Sequence, residues 1–216
     1  MSGPFYIRFI KPFIDYIGAV FLLILFSPIL IIAIIAIQLD SSGPVFADVP
    51  DRVGKNRKPF HLFKLRSMIP NAHQLLTTDA KFKKLYEEYK KGSYKLVDDP
   101  RVTPVGKYIR KYSLDEIPQF LNVLKGEMSI VGPRAYYLDE FTDQQIKYPH
   151  TRKMITKVIS VNPGITGLWQ VSGRSEVNFD KRVEMDVKYV DNISLWSDIV
   201  IILKTPWVMI SAKGAF

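Results

Sequence analysis

Residues 17–39 read IGAVFLLILFSPILIIAIIAIQL, and the fold turns on how this stretch is understood. Roughly 23 residues pass without a charge, and a helix needs about 20 to span a bilayer. A secretory signal peptide is a poor match, because the apolar run is too long and no small-residue cleavage site follows it. Two readings stay open: a simple transmembrane helix, and a helix-break-helix hairpin that enters and leaves on one face. Ser27-Pro28 falls in the middle of the segment, where proline removes a helical hydrogen bond and clashes with the preceding turn. The freed backbone groups need partners, and the Ser27 hydroxyl can supply one. Arg8 and Lys11 precede the segment; Arg52, Lys55, Arg57, Lys58, Lys64 and Arg66 follow it. Lys and Arg mark the cytoplasmic side, so basic residues on both flanks favour the hairpin.

Outward from this segment, the chain of 216 residues is long enough for a domain with a sizeable core. The absence of cysteine excludes disulfides, zinc-thiolate sites and a cysteine nucleophile. Thirty Lys and Arg against 21 Asp and Glu give a formal net charge of +9, which points to an anionic partner: phosphates, nucleic acid or an acidic membrane face. The sequence shows no internal repeat and sets no oligomeric state.

The remaining elements are short. FHLFKLRSM alternates apolar and basic residues as an extended segment would, and residues 71–91 pattern as a helix with Leu75, Leu76, Phe82, Leu85 and Tyr89 apolar. Residues 118–125 form a short helix with Pro118 early and Gly126 just past its end. MSIVGPR is a short buried strand entering a Gly-Pro turn, NPGITGLWQVSGRS is a glycine-punctuated loop, and residues 137–148 and 179–190 are helical. The C-terminal stretch carries Trp196 and Trp207 among aliphatics; it suits a helix lying in the membrane interface, or one packed on the core.

Asp115 and Glu116 stand side by side in SLDEIPQ within this basic chain. Ser113-x-x-Glu116 fits a capping box, with acids in a first helical turn meeting the helix dipole. The surroundings fit a second reading. Arg101, Lys107, Arg110 and Lys111 lie upstream and Arg134 follows the VGP turn, a gathering that suits a phosphate-metal site. A carboxylate held ionised there can also act as a nucleophile and form an acyl phosphate.

The motifs FSPIL (26–30), FKLRSM (63–68), the run from DPRV to VGPR (99–134), PGITGLWQVSGRS (163–175) and DVKYVDNISLWSDIVIILKT (186–205), in this order, resemble those of the bacterial sugar transferases, the monotopic phosphoglycosyl transferases. The resemblance covers nearly the whole chain. It implies an α+β, mostly helical fold: a re-entrant membrane helix over residues 1–40, broken at Ser27-Pro28, and a small catalytic domain over residues 41–216 with interfacial amphipathic helices. It implies an enzyme of the bacterial inner membrane, on its cytoplasmic face, that moves a sugar-1-phosphate from a UDP-sugar to undecaprenyl phosphate and releases UMP. This is the first membrane step of polysaccharide or glycoconjugate assembly. By the same resemblance Asp115 is the nucleophile that becomes a covalent aspartyl-phosphosugar, and Glu116 is a Mg²⁺ ligand with Asp115 sharing the ion. Lys64 and Arg110 correspond to basic positions near the active site, Arg134 to a phosphate ligand, Arg174 to the nucleotide end of the donor, and Asp186 to a supporting acid; for each, a structural ion pair is the plain alternative.

Three features depart from the family pattern: Asn162 where Lys or Arg is usual before PGITG, the unusual lead FADVPD into RVG, and a long lysine-rich insert near residues 71–98. The four-helix membrane bundle of larger relatives is not in this sequence, so the chain reads as the minimal catalytic form. GLWQVSGRS resembles the galactose and glucose branch of the family, which leans the donor towards a hexose, with an N-acetylhexosamine as the alternative. A catalytically inactive, membrane-anchored lipid binder would explain the charge and the apolar segment but not the coexistence of SLDE, VGPR and SGR. A nucleic-acid binder fits the charge alone, since the aromatics sit in apolar runs instead of interleaving with a basic stripe.

Overall fold

The computed structural model describes residues 2–91, 94, 96, 98–173 and 177–211. After one turn of π-helix at Tyr6–Ile10, helix α1 runs from Lys11 to Asp40. Ser27-Pro28 lies inside this helix, which continues through it. The physical reason is local. Proline at position 28 has no N–H to give the Ile24 carbonyl, and the Ser27 hydroxyl donates to that carbonyl instead, at 2.8 Å. The helix thereby carries its proline without an orphaned acceptor.

One stripe of α1 faces protein along its length. Ala19, Ala33 and Ile37 are buried, and Leu22, Leu23, Phe26 and Leu30 pack between them at helical spacing. The opposite stripe is equally apolar and uncovered: Phe21, Ile24, Leu25, Ile31, Ile32 and Ile35 are each more than half exposed. The apolar stretch Tyr6–Asp40 is long enough to cross a membrane. A continuous bare apolar stripe of this size is a membrane-contacting surface.

Both ends of α1 are fastened to the same domain. At the start, Lys11 Nζ lies 2.7 Å from Asp198 Oδ2, and Asp15 Oδ1 accepts the Ile130 N–H at 3.1 Å. At the end, buried Arg66 donates to the Ser42 and Ser41 carbonyls at 2.6 and 2.7 Å.

The domain itself is a set of short helices around two small sheets. β1 (Arg52–Val53) and β2 (Pro59–Phe60) pair antiparallel; β3 (Ser129–Val131) and β4 (Gly164–Thr166) pair parallel, Ser129 opposite Gly164. α2 (Ala72–Thr78) and α3 (Lys83–Lys91) replace the single helix expected over 71–91, because Asp79 interrupts it and caps the next turn by accepting the Lys81 N–H. α4 (Pro104–Lys111) precedes a 3₁₀ turn (Leu114–Gln119) that runs into α5 (Phe120–Leu124), and Gly126 follows in the left-handed region at φ +74°. α6 (Leu138–Lys147), α7 (Thr151–Val158), α8 (Leu168–Ser172) and α9 (Phe179–Asp191) follow, with α7 packed on α9. α10 (Leu195–Ser211) buries Asp198 and Ile201 against the domain and leaves Trp196 and Trp207 exposed.

The PGITG segment is a strand and the start of a helix, not the loop read from its glycines. Those glycines are needed for contact. A Cβ on Gly164 would fall 2.0 Å from the Gly132 nitrogen, so the VGPR turn and PGITG meet backbone to backbone.

Candidate active site

The site is assembled by three chain segments that share backbone hydrogen bonds. The extended stretch 62–68 is fixed on both sides: Ala47 N–H donates to Lys64 O at 2.8 Å and Arg66 N–H to Val45 O at 2.8 Å. Leu65 N–H donates to the Asp115 carbonyl at 3.0 Å, which sets FKLRS beside SLDE. Fully buried Asn122 locks the other end. It accepts the Phe63 N–H at 3.0 Å and donates to His61 O and Glu127 Oε2, both at 2.7 Å.

This pairing delivers Lys64 to the acid pair. Its Nζ lies 2.9 Å from Asp115 Oδ2 and 4.0 Å from Glu116 Oε1. Asp115 is 3% exposed, while the Glu116 side chain stays 41% open. The capping box does not form: Ser113 sits in the left-handed region at φ 54° with no side-chain cap, and turns the chain so that the acids lie within the 3₁₀ turn. A non-glycine residue in that region costs energy and marks a geometrically demanding position.

Asp115 and Glu116 line a cleft of about 310 Å³ that Lys64, Arg110 and Arg134 also line. Five of the sequence-chosen residues are thus brought together. Asp186 stands behind the cleft. It is fully buried, accepting the Arg134 N–H at 3.2 Å and the Tyr136 hydroxyl at 2.8 Å, so it holds the turn that carries Arg134. Burial pushes its carboxyl up to about 7, against the pull of those two donors. Arg174 lies outside the described residues. Arg101 is committed to Asp99 and to the Ala72 carbonyl, and Lys107 and Lys111 are exposed on α4, so these three do not supply free charge to the acid pair. Asn162, at the family's usual basic position, donates to Gly126 O at 3.0 Å.

The reading from sequence missed Asn122, Arg52 and Tyr137. Arg52 and Tyr137 line the cleft, the Arg52 guanidinium 3.4 Å from the centre of the Tyr137 ring. Nothing local distinguishes them; their partners are distant in the chain.

Among the described residues no group of three or more His, Asp or Glu is gathered as a closed metal cage. Asp115 and Glu116 offer two adjacent carboxylates at the cleft, which suits a Mg²⁺ ion whose other ligands are substrate phosphates and water.

Residues 6–212 match the family model described as bacterial sugar transferase. The chain belongs to the bacterial sugar transferase family. Among the relatives of this family member, the galactosyl transferase CpsE of Streptococcus agalactiae is 42% identical over 206 residues, covering 95% of this chain and 43% of its own length. The undecaprenyl-phosphate galactose phosphotransferase of Salmonella typhimurium is 39% identical over 216 residues, 97% of this chain and 42% of its own. The exopolysaccharide production protein ExoY of Rhizobium meliloti is 37% identical over 206 residues, 94% of this chain and 86% of its own. The chain therefore spans less than half of the first two and most of the third.

Proposed function

We propose that this protein is a membrane phosphoglycosyl transferase that moves a sugar-1-phosphate from a UDP-sugar to undecaprenyl phosphate, as the first membrane step of polysaccharide assembly. The observation that carries the proposal is a buried carboxylate, Asp115, paired with Lys64 at 2.9 Å in a cleft also lined by Arg110 and Arg134. In the first half-reaction an Asp115 oxygen attacks the phosphorus that bears the sugar. The bond from that phosphorus to UMP breaks, leaving an aspartyl-phosphosugar. In the second half-reaction an oxygen of the polyprenyl phosphate attacks the same phosphorus, frees Asp115 and yields the polyprenyl-diphosphate sugar. Arg110, Arg134 and Lys64 hold the phosphate oxygens and balance the charge that develops on them. Glu116, with Asp115, would hold a Mg²⁺ ion, which supplies charge neutralisation on the diphosphate when bound.

The acceptor's lipid tail gives α1 its role. Both ends of the helix are anchored on one domain, and both flanks are basic, which supports re-entry from the cytoplasmic face with a bend at Ser27-Pro28. A hexose donor is favoured by the galactose named for the Streptococcus and Salmonella relatives. The N-acetylgalactosamine named for a relative from Aeromonas hydrophila, 37% identical, keeps an N-acetylhexosamine as the second reading.

The test is UMP release from a panel of UDP-hexoses and UDP-N-acetylhexosamines, with solubilised protein, Mg²⁺ and undecaprenyl phosphate, beside Asp115→Asn. Release with one donor, dependent on lipid and metal and lost in the variant, is the expected outcome; a fully active Asp115→Asn would overturn the mechanism. Because the chain has no cysteine, single cysteines placed at Arg8 and at Asp51 report topology cleanly. Labelling of both from the cytoplasmic side only is expected for re-entry, and labelling from opposite sides would show a span.

A further inference from the structure

One wall of the cleft has no part in the chemistry above. The described residues of the insert near residues 71–98 fold against it, and His73, Leu76, Tyr89 and Tyr94 line it. Its position is locked. The Tyr94 hydroxyl donates to Asp143 of α6 at 2.6 Å, and Lys90 pairs with the same carboxylate at 3.0 Å. The Tyr94 ring packs between those of Tyr89, at 5.1 Å, and Tyr137, at 6.0 Å.

Tyr137 is the residue on which this wall converges. It stands three positions after Arg134, at the start of α6, and is half-buried at the cleft. Arg52 covers its ring, donates one N–H to Ala135 O at 3.1 Å, and keeps its buried Nε without a hydrogen-bond partner. Tyr89 lines the same wall, and its ring and that of Tyr137 pack on opposite sides of Tyr94. Tyr137 thus lines the cleft together with three cations, Arg52, Lys64 and Arg134. The surrounding potential is strongly positive. Burial pushes the Tyr137 hydroxyl up, yet Arg52, Lys64 and Arg134 together bring it below the ordinary tyrosine value.

We propose that Tyr137 contacts substrate: its hydroxyl, in a cleft lined by Arg52, Lys64 and Arg134 and braced by the wall of Tyr89 and Tyr94, donates a hydrogen bond to a non-bridging oxygen of the donor's diphosphate. The proposal rests on the transferase reading above. Both substrates carry phosphate. The donor is assigned because α3 and α6, which hold Tyr89 and follow Tyr137, make no substantial packing contact with α1, the side from which a lipid arrives. The insert thus contributes a positioning residue, Tyr89, which acts through Tyr137.

The experiment is calorimetric titration of UDP into solubilised wild type, Tyr137→Phe and Tyr89→Phe, with thermal melting of each and KM measured for both substrates. A hydrogen bond to a charged oxygen predicts roughly 10- to 100-fold weaker UDP binding in Tyr137→Phe. Its melting temperature should be unchanged, and KM should rise for the UDP-sugar but not for undecaprenyl phosphate. Tyr89→Phe should move the same quantities in the same direction by less, with kcat held. Equal UDP affinity in Tyr137→Phe and wild type overturns the proposal, as does a wild type that binds no UDP. A KM increase confined to undecaprenyl phosphate overturns the donor assignment. Should Tyr137→Phe not fold, unchanged UDP affinity and donor KM in Tyr89→Phe overturn it. If wild type releases UMP from no donor, the transferase reading fails by itself, and weaker UDP binding in Tyr137→Phe still supports the contact.

Discussion

Replacing Lys64 by methionine leaves Asp115 as a buried carboxylate without its partner, and the size of the effect can be worked from the geometry. At 2.9 Å, with an effective dielectric constant of about 20, the pair attracts by about 6 kcal/mol. The Lys64 side chain is 22% exposed, so solvent screens part of this. The ammonium also loses hydration on pairing, and a net coupling of roughly 2–3 kcal/mol remains. For a chain of this size that corresponds to a fall of roughly 5–10 °C in melting temperature. Asp115→Asn should cost less, because Lys64 can turn its charge to water. The double variant Lys64→Met/Asp115→Asn should melt above Lys64→Met alone, since no unpaired charge stays buried. Thermal unfolding of the four proteins in one detergent completes the cycle. Additivity within about 0.5 kcal/mol would refute the reasoning, since it would mean that the two groups do not feel each other. On the proposed mechanism Lys64→Met should also abolish UMP release, as the variant lacks a cation beside the carboxylate proposed to attack.

Three further outcomes follow from other parts of the molecule. The Asp186 carboxyl, ordinarily at 3.8 and raised by burial to about 7, binds its proton more tightly in the folded than in the unfolded chain. Its contribution to stability is complete below about pH 4 and is lost as pH rises to about 7. Melting temperature compared between wild type and Asp186→Asn from pH 5 to 8 should show the wild type falling more steeply, and parallel curves would contradict this. Ser27→Ala leaves the Ile24 carbonyl facing Pro28 with no donor and should cost about 1 kcal/mol, read as a lower melting temperature in nanodiscs; an unchanged value would mean that the hydroxyl is idle. Gly164→Ala drives a Cβ to 2.0 Å from the Gly132 nitrogen and should cost roughly 3 kcal/mol or more, seen as loss of soluble folded yield in detergent extracts, whereas Gly126→Ala meets no neighbour and should cost only its positive φ.

By itself the sequence determined the elements whose causes are local. An uncharged run of sufficient length makes an apolar helix whatever surrounds it, and Pro118 with Gly126 brackets the short helix after the acid pair. The order of motifs singled out Asp115, Glu116, Lys64, Arg110 and Arg134, which the fold does bring to one cleft. Tertiary structure decided whatever depends on contacts between distant residues. PGITG reads as a loop because its glycines have no strand propensity, yet it pairs with Ser129–Val131 because two backbones can approach only where side chains are missing. Ser113-x-x-Glu116 reads as a capping box. Ser113 turns left-handed instead, while Leu65 takes the Asp115 carbonyl into a hydrogen bond that reaches across fifty residues. The proline in α1 removes a ladder hydrogen bond, and only the structure shows that a hydroxyl one residue away takes up the carbonyl that proline abandons, so that the helix continues through it. The charges of Arg101 and Asp186 look alike in the sequence to those of Arg134 and Glu116. Only burial and partners, which are properties of the packed chain, separate charges that are tied up in holding the fold from those gathered beside the acid pair.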